Sequence, residues 1–324
     1  MRSFLLASVV MTALAPVMVF AQTLPAAVPD NEVFTRDQIG HALAEPTPAA
    51  GRTAPSTANA PEDDGQWTMP SKNYASTRFS SLAELTTQNV QKLVPVFTFS
   101  LAVNKGQEAA PIVADNTMYI VTAYPNYVYA LDLTKPGAPL KWKFAPKPLP
   151  ASQGVACCDV VNRGGTVSHG KYIFNTLDGQ TIALDVKTGQ ALWRTRLGNI
   201  NTGETLTMAP LVADGRVYVG NSGGELGVRG WISALDENSG KLLWKAFNTG
   251  PDTEVMIGSQ FKPYYSSERG ADLGVKTWPP EAWKIGGGNV WGWITYDPEL
   301  KALYHGTGNP GPWNAEQRPG DNKW

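Results

Sequence analysis

A segment that occurs three times at a nearly constant spacing constrains the fold of this chain more than any other feature. Residues 183–193 read Ala-Leu-Asp-Val-Lys-Thr-Gly-Gln-Ala-Leu-Trp, and residues 234–244 repeat the pattern as Ala-Leu-Asp-Glu-Asn-Ser-Gly-Lys-Leu-Leu-Trp. An earlier copy, residues 130–142, has a wider turn that contains two prolines. The copies begin 53 and 51 residues apart, and a period near fifty indicates an array of supersecondary units.

Each copy has the pattern of a strand, a tight turn and a second strand that carries tryptophan. The aspartate side chain can cap the turn, and the glycine supplies the positive φ that the turn needs. Strand-like runs lie before the first copy, as at residues 94–99, and between copies, as at residues 215–220. Helical spacing of apolar residues is missing. About four short strands per fifty residues are typical of a β-propeller blade. The sequence therefore predicts an all-β chain built as a β-propeller.

From residue 65 onward the chain is long enough for roughly five blades of fifty residues each, once the length of one insertion is subtracted. Residues 251–285 are rich in proline and lack strand alternation, so we expect them to form part of a lid or rim. A propeller removes its open edges by closing into a ring. Because residues 306–324 contain no closing strand, residues 65–324 are expected to form a partial propeller that is truncated at its C-terminal end.

The first 21 residues have the features of a secretory signal peptide. Arg2 precedes an apolar run that ends in Val-Phe-Ala, which predicts cleavage after Ala21 and export to an oxidising compartment, most simply a bacterial periplasm. An uncleaved membrane anchor is the alternative, but Thr12 and Pro16 interrupt the run. Residues 22–64 are rich in Pro, Ala and Thr and are expected to be a mostly disordered leader.

Composition narrows the class of fold and partner. The chain has 11 Trp and 32 Gly, which fits a turn-rich all-β protein better than a helical one. Charged residues make up only 17% and the net charge is −1. Such a chain offers no basic surface for a phosphate backbone, which argues against a nucleic-acid partner.

The two cysteines of the chain, Cys157 and Cys158, are adjacent. In an exported protein they can pair with each other or with another molecule, and two free buried thiols are the remaining alternative. A disulfide between neighbours closes only a very small ring and has no value as a staple of a long loop. A zinc site is disfavoured, because no Cys-x-x-Cys motif occurs and the three histidines are far apart in sequence.

Residues 220–227 form a glycine-rich run that superficially resembles a dinucleotide-binding loop. A Rossmann loop opens a helix, whereas here a strand pattern follows. Ser222 offers a hydroxyl and Glu225 a carboxylate, although a lone Glu in a turn is more often simply exposed to solvent. Trp291 follows three glycines; on its own, such a Trp is more often core packing than a stacking platform.

Several segments together resemble the PQQ-dependent (quinoprotein) alcohol dehydrogenases, among them the methanol dehydrogenase large subunit and its lanthanide-associated relatives. They are the Trp-bearing repeats and residues 154–163, 222–225 and 308–314. The Cys-Cys segment is highly specific, whereas propeller repeats also occur in proteins that are not enzymes. The resemblance covers about residues 65–324. It implies an eight-bladed propeller, incomplete here, with pyrroloquinoline quinone (PQQ) on its axis.

The resemblance also implies which residues bind the cofactors. It places a Cys157–Cys158 disulfide over one face of the quinone and Trp291 under the other. Glu225 and Asn309 would bind the metal ion, and oxygen donors of this kind suit Ca²⁺ or a lanthanide ion. The polar edge of the quinone would be held by Glu108, Arg163, Thr207, Ser222, Gly223 and Gly224.

The implied activity is periplasmic oxidation of primary alcohols, of the methanol or ethanol type, to aldehydes. The metal ion would act as a Lewis acid on the quinone, a carboxylate would take the hydroxyl proton, and a c-type cytochrome would accept the electrons. That catalytic Asp is expected some forty residues beyond Asn309, and therefore beyond Trp324, so no catalytic residue is expected within the chain. The resemblance is compatible with a homodimer.

Two other functions are alternatives. A non-catalytic propeller scaffold of the outer-membrane assembly type would have no Cys-Cys pair, no Glu225–Asn309 pair, and a lipidated Cys after the signal peptide. A membrane-anchored quinoprotein sugar dehydrogenase would need several transmembrane helices near its N-terminus. All three expectations for the scaffold fail, and no series of transmembrane helices occurs near the N-terminus. A periplasmic PQQ-dependent alcohol dehydrogenase is therefore favoured.

Overall fold

The computed structural model describes residues 64–258 and 270–317, all within a compact unit, Pro61–Trp324. The predicted signal peptide (residues 1–21) and nearly all of the predicted leader (residues 22–64) lie outside the described residues and remain predictions. Within the described ranges no helix is long and apolar enough to cross a membrane.

Antiparallel strands dominate the described residues, as the sequence predicts. They form three four-stranded sheets, β1–β4, β5–β8 and β9–β12, and one two-stranded sheet, β13–β14. In the four-stranded sheets the strands pair in chain order. The strands are β1 (Ile112–Ala114), β2 (Thr117–Val121), β3 (Val128–Asp132), β4 (Leu140–Phe144), β5 (Gly165–Ser168), β6 (Lys171–Asn175), β7 (Gln180–Asp185), β8 (Ala191–Arg196), β9 (Leu211–Ala213), β10 (Arg216–Gly220), β11 (Trp231–Asp236), β12 (Leu242–Phe247), β13 (Ile294–Asp297) and β14 (Ala302–His305).

Helical structure in the described residues is confined to short segments outside the strands. The one α-helix of the described residues is α1 (Leu273–Lys276). The 3₁₀ turns are Val90–Lys92, Pro150–Gly154, Ile200–Thr202, Gly224–Leu226, Ala282–Ile285 and Ala315–Gln317.

The repeated Asp-Xaa-Xaa-Thr/Ser-Gly segments form the turns that join the last two strands of a sheet. The Asp185 carboxylate accepts hydrogen bonds from the backbone and the hydroxyl of Thr188, at 2.7 and 2.9 Å. Asp236 accepts the equivalent pair from Ser239. Gly189 and Gly240 follow with φ of +70°. The capping role predicted for the aspartates is confirmed.

Two of the repeated tryptophans, Trp142 and Trp193, each bind their sheet to the next one. The Trp142 indole N–H donates to the carbonyl of Val186 in the turn of the second sheet, at 2.9 Å. Trp193 donates in the same way to Glu237 in the turn of the third sheet, at 3.0 Å. The Trp193 ring also lies so close to Gly240 that a Cβ there would stand 2.5 Å from it. The repeat therefore specifies contacts between blades as well as within them.

The apolar core fills the spaces between successive sheets. One cluster joins the first two sheets and includes stacked Tyr119 and Tyr172, whose ring centroids are 5.4 Å apart. A second cluster joins the second, third and fourth sheets around Trp231, which is fully buried.

The stretch before the first sheet lies along the first strands of all four sheets. Trp67 pairs with β1, and the Thr68 carbonyl accepts a hydrogen bond from β5 at 2.8 Å. Tyr74 donates its hydroxyl to β9 at 3.0 Å, and its carbonyl accepts from β13 at 3.1 Å. Residues 67–74 thus tie the four sheets together along one line.

Two sequence predictions need correction. Roughly five blades were expected, but the described residues contain three complete sheets and one two-stranded sheet. Residues 94–99 are not a strand, because no described segment pairs with them. The described part of the predicted insertion, residues 251–285, contains no strand, as expected.

Candidate functional site

The candidate site is a cavity of about 410 Å³ at one edge of the sheets. In an antiparallel sheet the start of one strand and the end of its neighbour lie at the same edge. Arg163 and Thr207 stand just before β5 and β9, Trp291 stands just before β13, and Ser222 follows β10. All four line the cavity, whose volume falls within the range of roughly 300–1,000 Å³ typical of small-molecule sites.

Most residues predicted to bind a cofactor or metal ion come together here. Two of the predicted set are not part of the cavity wall: Glu108 contacts it through Arg163, and Gly223 lies directly beside it. The predicted residues that line the cavity are Cys157, Cys158, Arg163, Thr207, Ser222, Gly224, Glu225, Trp291 and Asn309.

The cavity has a vicinal disulfide and a tryptophan among its walls. The structure joins Cys157 to Cys158, and both residues are exposed. Trp291 is 46% exposed, although residues 286–290 directly before it are buried. A tryptophan that served only as core packing would be covered by neighbouring side chains. Its exposure leaves an aromatic surface available for a ligand.

A chain of polar contacts runs from Glu108 to Ser222 through a single guanidinium group. Arg163 forms an ion pair with Glu108 at 3.2 Å and donates to the Thr207 hydroxyl at 2.9 Å. The Thr207 and Ser222 hydroxyls are hydrogen-bonded at 2.7 Å. The Arg163 guanidinium carbon lies 5.1 Å from the ring centroid of Trp291. These contacts hold a positive charge beside an exposed aromatic face.

The glycines of the loop are required by close backbone approaches. Gly223 has φ of +114°, and a Cβ there would lie 2.3 Å from the carbonyl oxygen of Gly203. A Cβ on Gly224 would lie 2.4 Å from the side-chain oxygen of Asn289. The loop therefore packs with its backbone against its neighbours, and Glu225 follows in the 3₁₀ turn Gly224–Leu226.

Glu225 and Asn309 are exposed and share the cavity. Neither side chain hydrogen-bonds to another described residue, so their oxygen atoms are available to a ligand. Residues 64–258 and 270–317 contain no cluster of three or more His, Cys, Asp or Glu that could hold a metal ion. A hard cation at this place would therefore draw further oxygen ligands from amides, a bound cofactor or water.

The cavity wall also contains residues that were not predicted to bind a ligand: Ala156, Asp159, Val161, Thr205, Asn289, Gly308 and Trp313. Asn289 is 2% exposed, whereas Trp313 is 61% exposed. Asn289 directly follows a run of three glycines, two of which have positive φ. Such a run of glycines indicates that backbone segments approach each other closely there, and this was the signal in the sequence for the position of Asn289. Trp313 belongs to the segment 308–314 that carried the family resemblance.

Comparison with known proteins gives a family match over most of the chain. The profile described as "PQQ: Glucose/ethanol/alcohol dehydrogenase, beta-propeller domain" matches residues 67–324. The chain is 50% identical over 264 residues to the lanthanide-dependent methanol dehydrogenase of Methylacidiphilum fumariolicum (strain SolV), covering 81% of this chain and 43% of that protein. It is 46% identical over 272 residues to methanol dehydrogenase (cytochrome c) subunit 1 of Methylorubrum extorquens, covering 81% and 43%.

A solved structure agrees with these relatives. The structure of a europium-containing methanol dehydrogenase matches with a TM-score of 0.77 at 50% identity, covering 80% of this chain and 45% of that chain. The chain thus spans less than half the length of these relatives. The family description names PQQ, and two of these relatives are described by a lanthanide, one as lanthanide-dependent and one as containing europium. The chain belongs to the PQQ-dependent glucose, ethanol and alcohol dehydrogenase β-propeller family.

Proposed function

We propose that this chain supplies the cofactor site of a periplasmic, PQQ- and metal-dependent dehydrogenase. Its substrates are small primary alcohols, its products are aldehydes, and its electron acceptor is a c-type cytochrome. The observation that carries the proposal is one cavity that combines a vicinal disulfide, an exposed Trp, a fixed Arg and a Glu–Asn pair. The names of the two relatives, one lanthanide-dependent and one cytochrome c-linked, support the metal and the acceptor.

The flat walls and the guanidinium group suit a planar, anionic quinone. The Cys157–Cys158 disulfide and Trp291 offer polarisable surfaces against which a ring system can stack. Arg163 has donors that match carboxylate and carbonyl oxygens, and such charge-assisted hydrogen bonds are stronger than neutral ones. Because Glu108 and Thr207 already bind Arg163, the guanidinium is held in place before a ligand arrives. This preorganisation reduces the entropy lost on binding.

The Glu225 carboxylate and the Asn309 amide oxygen would hold the metal ion. Both are hard oxygen donors, as Ca²⁺ and lanthanide ions require. When bound, PQQ accepts the two electrons of alcohol oxidation, and the metal ion polarises its reactive carbonyl. The contribution of this chain is to bind and orient the two groups and to present them at the open cavity.

Replacing one carboxylate tests the proposal. We expect Glu225→Gln to weaken binding of La³⁺ in the presence of PQQ by about tenfold or more, because a charged ligand becomes neutral. Glu299→Gln is the matched control, since Glu299 is exposed in the turn between β13 and β14 and lies outside the cavity. Isothermal titration gives the affinities, and circular dichroism checks the fold. Equal affinities in a folded Glu225→Gln variant and the parent chain would remove Glu225 from the site.

A further inference from the structure

Buried asparagines occupy equivalent places in three successive sheets. Asn126, Asn175 and Asn221 each lie at the end of the second strand of a sheet or in the turn that leads to its third strand. They are 49 and 46 residues apart in the chain, and each is fully buried. Because buried polar side chains need hydrogen-bond partners, this second repeat indicates a contact that each of the three sheets makes in the same way.

Each asparagine hydrogen-bonds within its own sheet and also to the sheet that follows. The bonds to the following sheet run from the Leu177 backbone N–H to Asn126 at 3.0 Å, from Asn175 to the Met208 carbonyl at 2.9 Å, and from the Asn289 side chain to Asn221 at 3.1 Å. The asparagines therefore join the sheets at the edge where the cavity lies. The repeated tryptophans join them at the turns of the opposite edge.

Asn175 contacts the chain neighbours of two residues in the polar wall of the cavity. Its side-chain nitrogen donates to the carbonyl of Met208, the residue after Thr207. Its backbone carbonyl accepts a hydrogen bond at 2.8 Å from the side chain of Asn162, the residue before Arg163. None of Asn162, Asn175 and Met208 belongs to the cavity wall. Asn175 thus adjoins both sides of the contact between Arg163 and Thr207 from behind the wall.

That contact requires the loops before β5 and β9 to keep a fixed distance. Arg163 binds Thr207 through its backbone N–H at 3.0 Å and through its guanidinium group at 2.9 Å. Hydrogen bonds weaken steeply when their geometry is distorted, and a satisfied buried polar network rigidifies its surroundings. On the basis of the proposed function, we propose that Asn175 is a positioning residue of the cofactor site. It holds the loop before β9 against the loop before β5, so that the guanidinium is already in place when a quinone binds.

Removing the side chain of Asn175 should weaken quinone binding. Asn175→Ala deletes the donor to Met208, whereas the backbone carbonyl that binds Asn162 remains. Because Arg163 is then held less rigidly, we expect the Kd for PQQ to rise by about threefold to tenfold.

Thr166→Val is the matched control. Thr166 in β5 is 1% exposed and donates its hydroxyl to the Pro210 carbonyl at 2.6 Å. This bond also joins the second sheet to the third, but Thr166 lies outside the cavity wall. We expect Thr166→Val to reduce stability without changing the Kd for PQQ.

A double-mutant cycle separates positioning from a general loss of structure. If Asn175 acts through Arg163, its substitution should have little further effect once the guanidinium is gone. We expect Asn175→Ala to change the Kd by less than about twofold in the Arg163→Leu background. A residue that served only the stability of the fold would give effects that add to those of Arg163→Leu.

The experiment is a PQQ titration of the full 324-residue chain, followed by quenching of tryptophan fluorescence. Urea unfolding shows whether each variant is folded and how much stability it loses. If Asn175→Ala does not fold, Asn162→Ala takes its place, because it removes the other hydrogen bond between Asn175 and the loop of Arg163. An unchanged Kd in Asn162→Ala would then overturn the inference.

The outcomes separate this inference from the proposed function. A raised Kd in Asn175→Ala, an unchanged Kd in Thr166→Val and effects that do not add with Arg163→Leu support the positioning role. An unchanged Kd in Asn175→Ala, an equal rise in Thr166→Val, or additive effects overturn it. Weaker binding in Arg163→Leu then leaves the proposed function standing. If the parent chain does not bind PQQ, or if Arg163→Leu binds it equally well, both proposals are overturned.

Discussion

Arg163 is the residue on which the polar side of the cavity depends. Its guanidinium group binds Glu108 and Thr207 and lies beside the ring of Trp291. It stands just before β5, where its backbone N–H also donates to the Thr207 carbonyl at 3.0 Å. The backbone and the side chain of Arg163 are therefore both held by the loop before β9.

We expect Arg163→Leu to weaken PQQ binding by about tenfold or more, because a hydrogen bond to a charged group contributes about 1.5–3 kcal/mol. Arg216→Leu is the matched control, since Arg216 is exposed at the start of β10, at the opposite end of that strand from Ser222. Quenching of tryptophan fluorescence on titration with PQQ measures both affinities. The role of Arg163 is refuted if the two variants bind PQQ equally well.

Cys157 and Cys158 are expected to be oxidised to each other in protein isolated without reductant. Peptide mass analysis should show one peptide that is lighter by two hydrogens and that reacts with an alkylating agent only after reduction. The structure pairs the two residues and leaves them exposed, so a reductant can reach them. Complete alkylation before reduction would contradict the pairing.

At the scale of the structural element, two glycines offer a test of the contacts between blades. Gly240 and Gly215 have nearly the same φ, +70° and +69°, but only Gly240 lies against a neighbouring blade, at the ring of Trp193. Alanine at either position is strained by the left-handed backbone. We expect Gly240→Ala to destabilise the chain by about 1–3 kcal/mol more than Gly215→Ala, because only Gly240→Ala overpacks a contact.

Urea unfolding of these two variants measures the difference. The shared backbone strain cancels in the comparison, so what remains is the contact with Trp193. Equal losses of stability would show that the Trp193–Gly240 contact does not hold the second sheet to the third.

The turn aspartates predict how stability depends on pH. Hydrogen bonds from the Thr134 hydroxyl and backbone lower the pKa of Asp132 from 3.8 to about 2. Hydrogen bonds from Thr188 and Ser239 likewise lower the pKa of Asp185 and Asp236. A carboxyl group whose pKa is lower in the folded state than in the unfolded state stabilises the fold at pH values above its unfolded pKa. This contribution to stability is lost as the pH falls through the folded pKa.

Thermal unfolding of the parent chain and of a variant with these three aspartates changed to Asn tests this. Between about pH 4 and about pH 2 the melting temperature of the parent should fall more steeply, so that the two curves converge. A gap between them that does not change with pH would contradict the assignment.

The sequence revealed the elements whose signals are local. The Asp cap, the Gly with positive φ and the Trp lie within about ten residues of each other, so three turns could be predicted. The turn between β13 and β14 was not recognised as a copy, because Lys301, with φ of +51°, takes the place of the glycine. Residues 94–99 have a strand pattern, but a strand needs a partner, and no local signal specifies one.

At the scale of the whole molecule, the cavity exists only because separate sheets are brought together. Its residues range from Ala156 to Trp313 in sequence and come from loops of the second, third and fourth sheets. The family resemblance identified most of them. Asn289 was missed because its place in the cavity wall depends on a hydrogen bond to Asn221, which is 68 residues away in the chain. Hydrogen-bond direction over such a distance cannot be inferred from sequence pattern alone.

The most direct test of the central claim is a crystal structure of this chain with PQQ and Eu³⁺, using the anomalous signal of the metal. We expect the quinone in the cavity against the Cys157–Cys158 disulfide and Trp291, with its oxygen atoms at Arg163. The anomalous peak should lie within about 2.3–2.6 Å of oxygen atoms of Glu225 and Asn309. A quinone bound elsewhere, or a metal ion held only by carboxylates outside the cavity, would contradict the account.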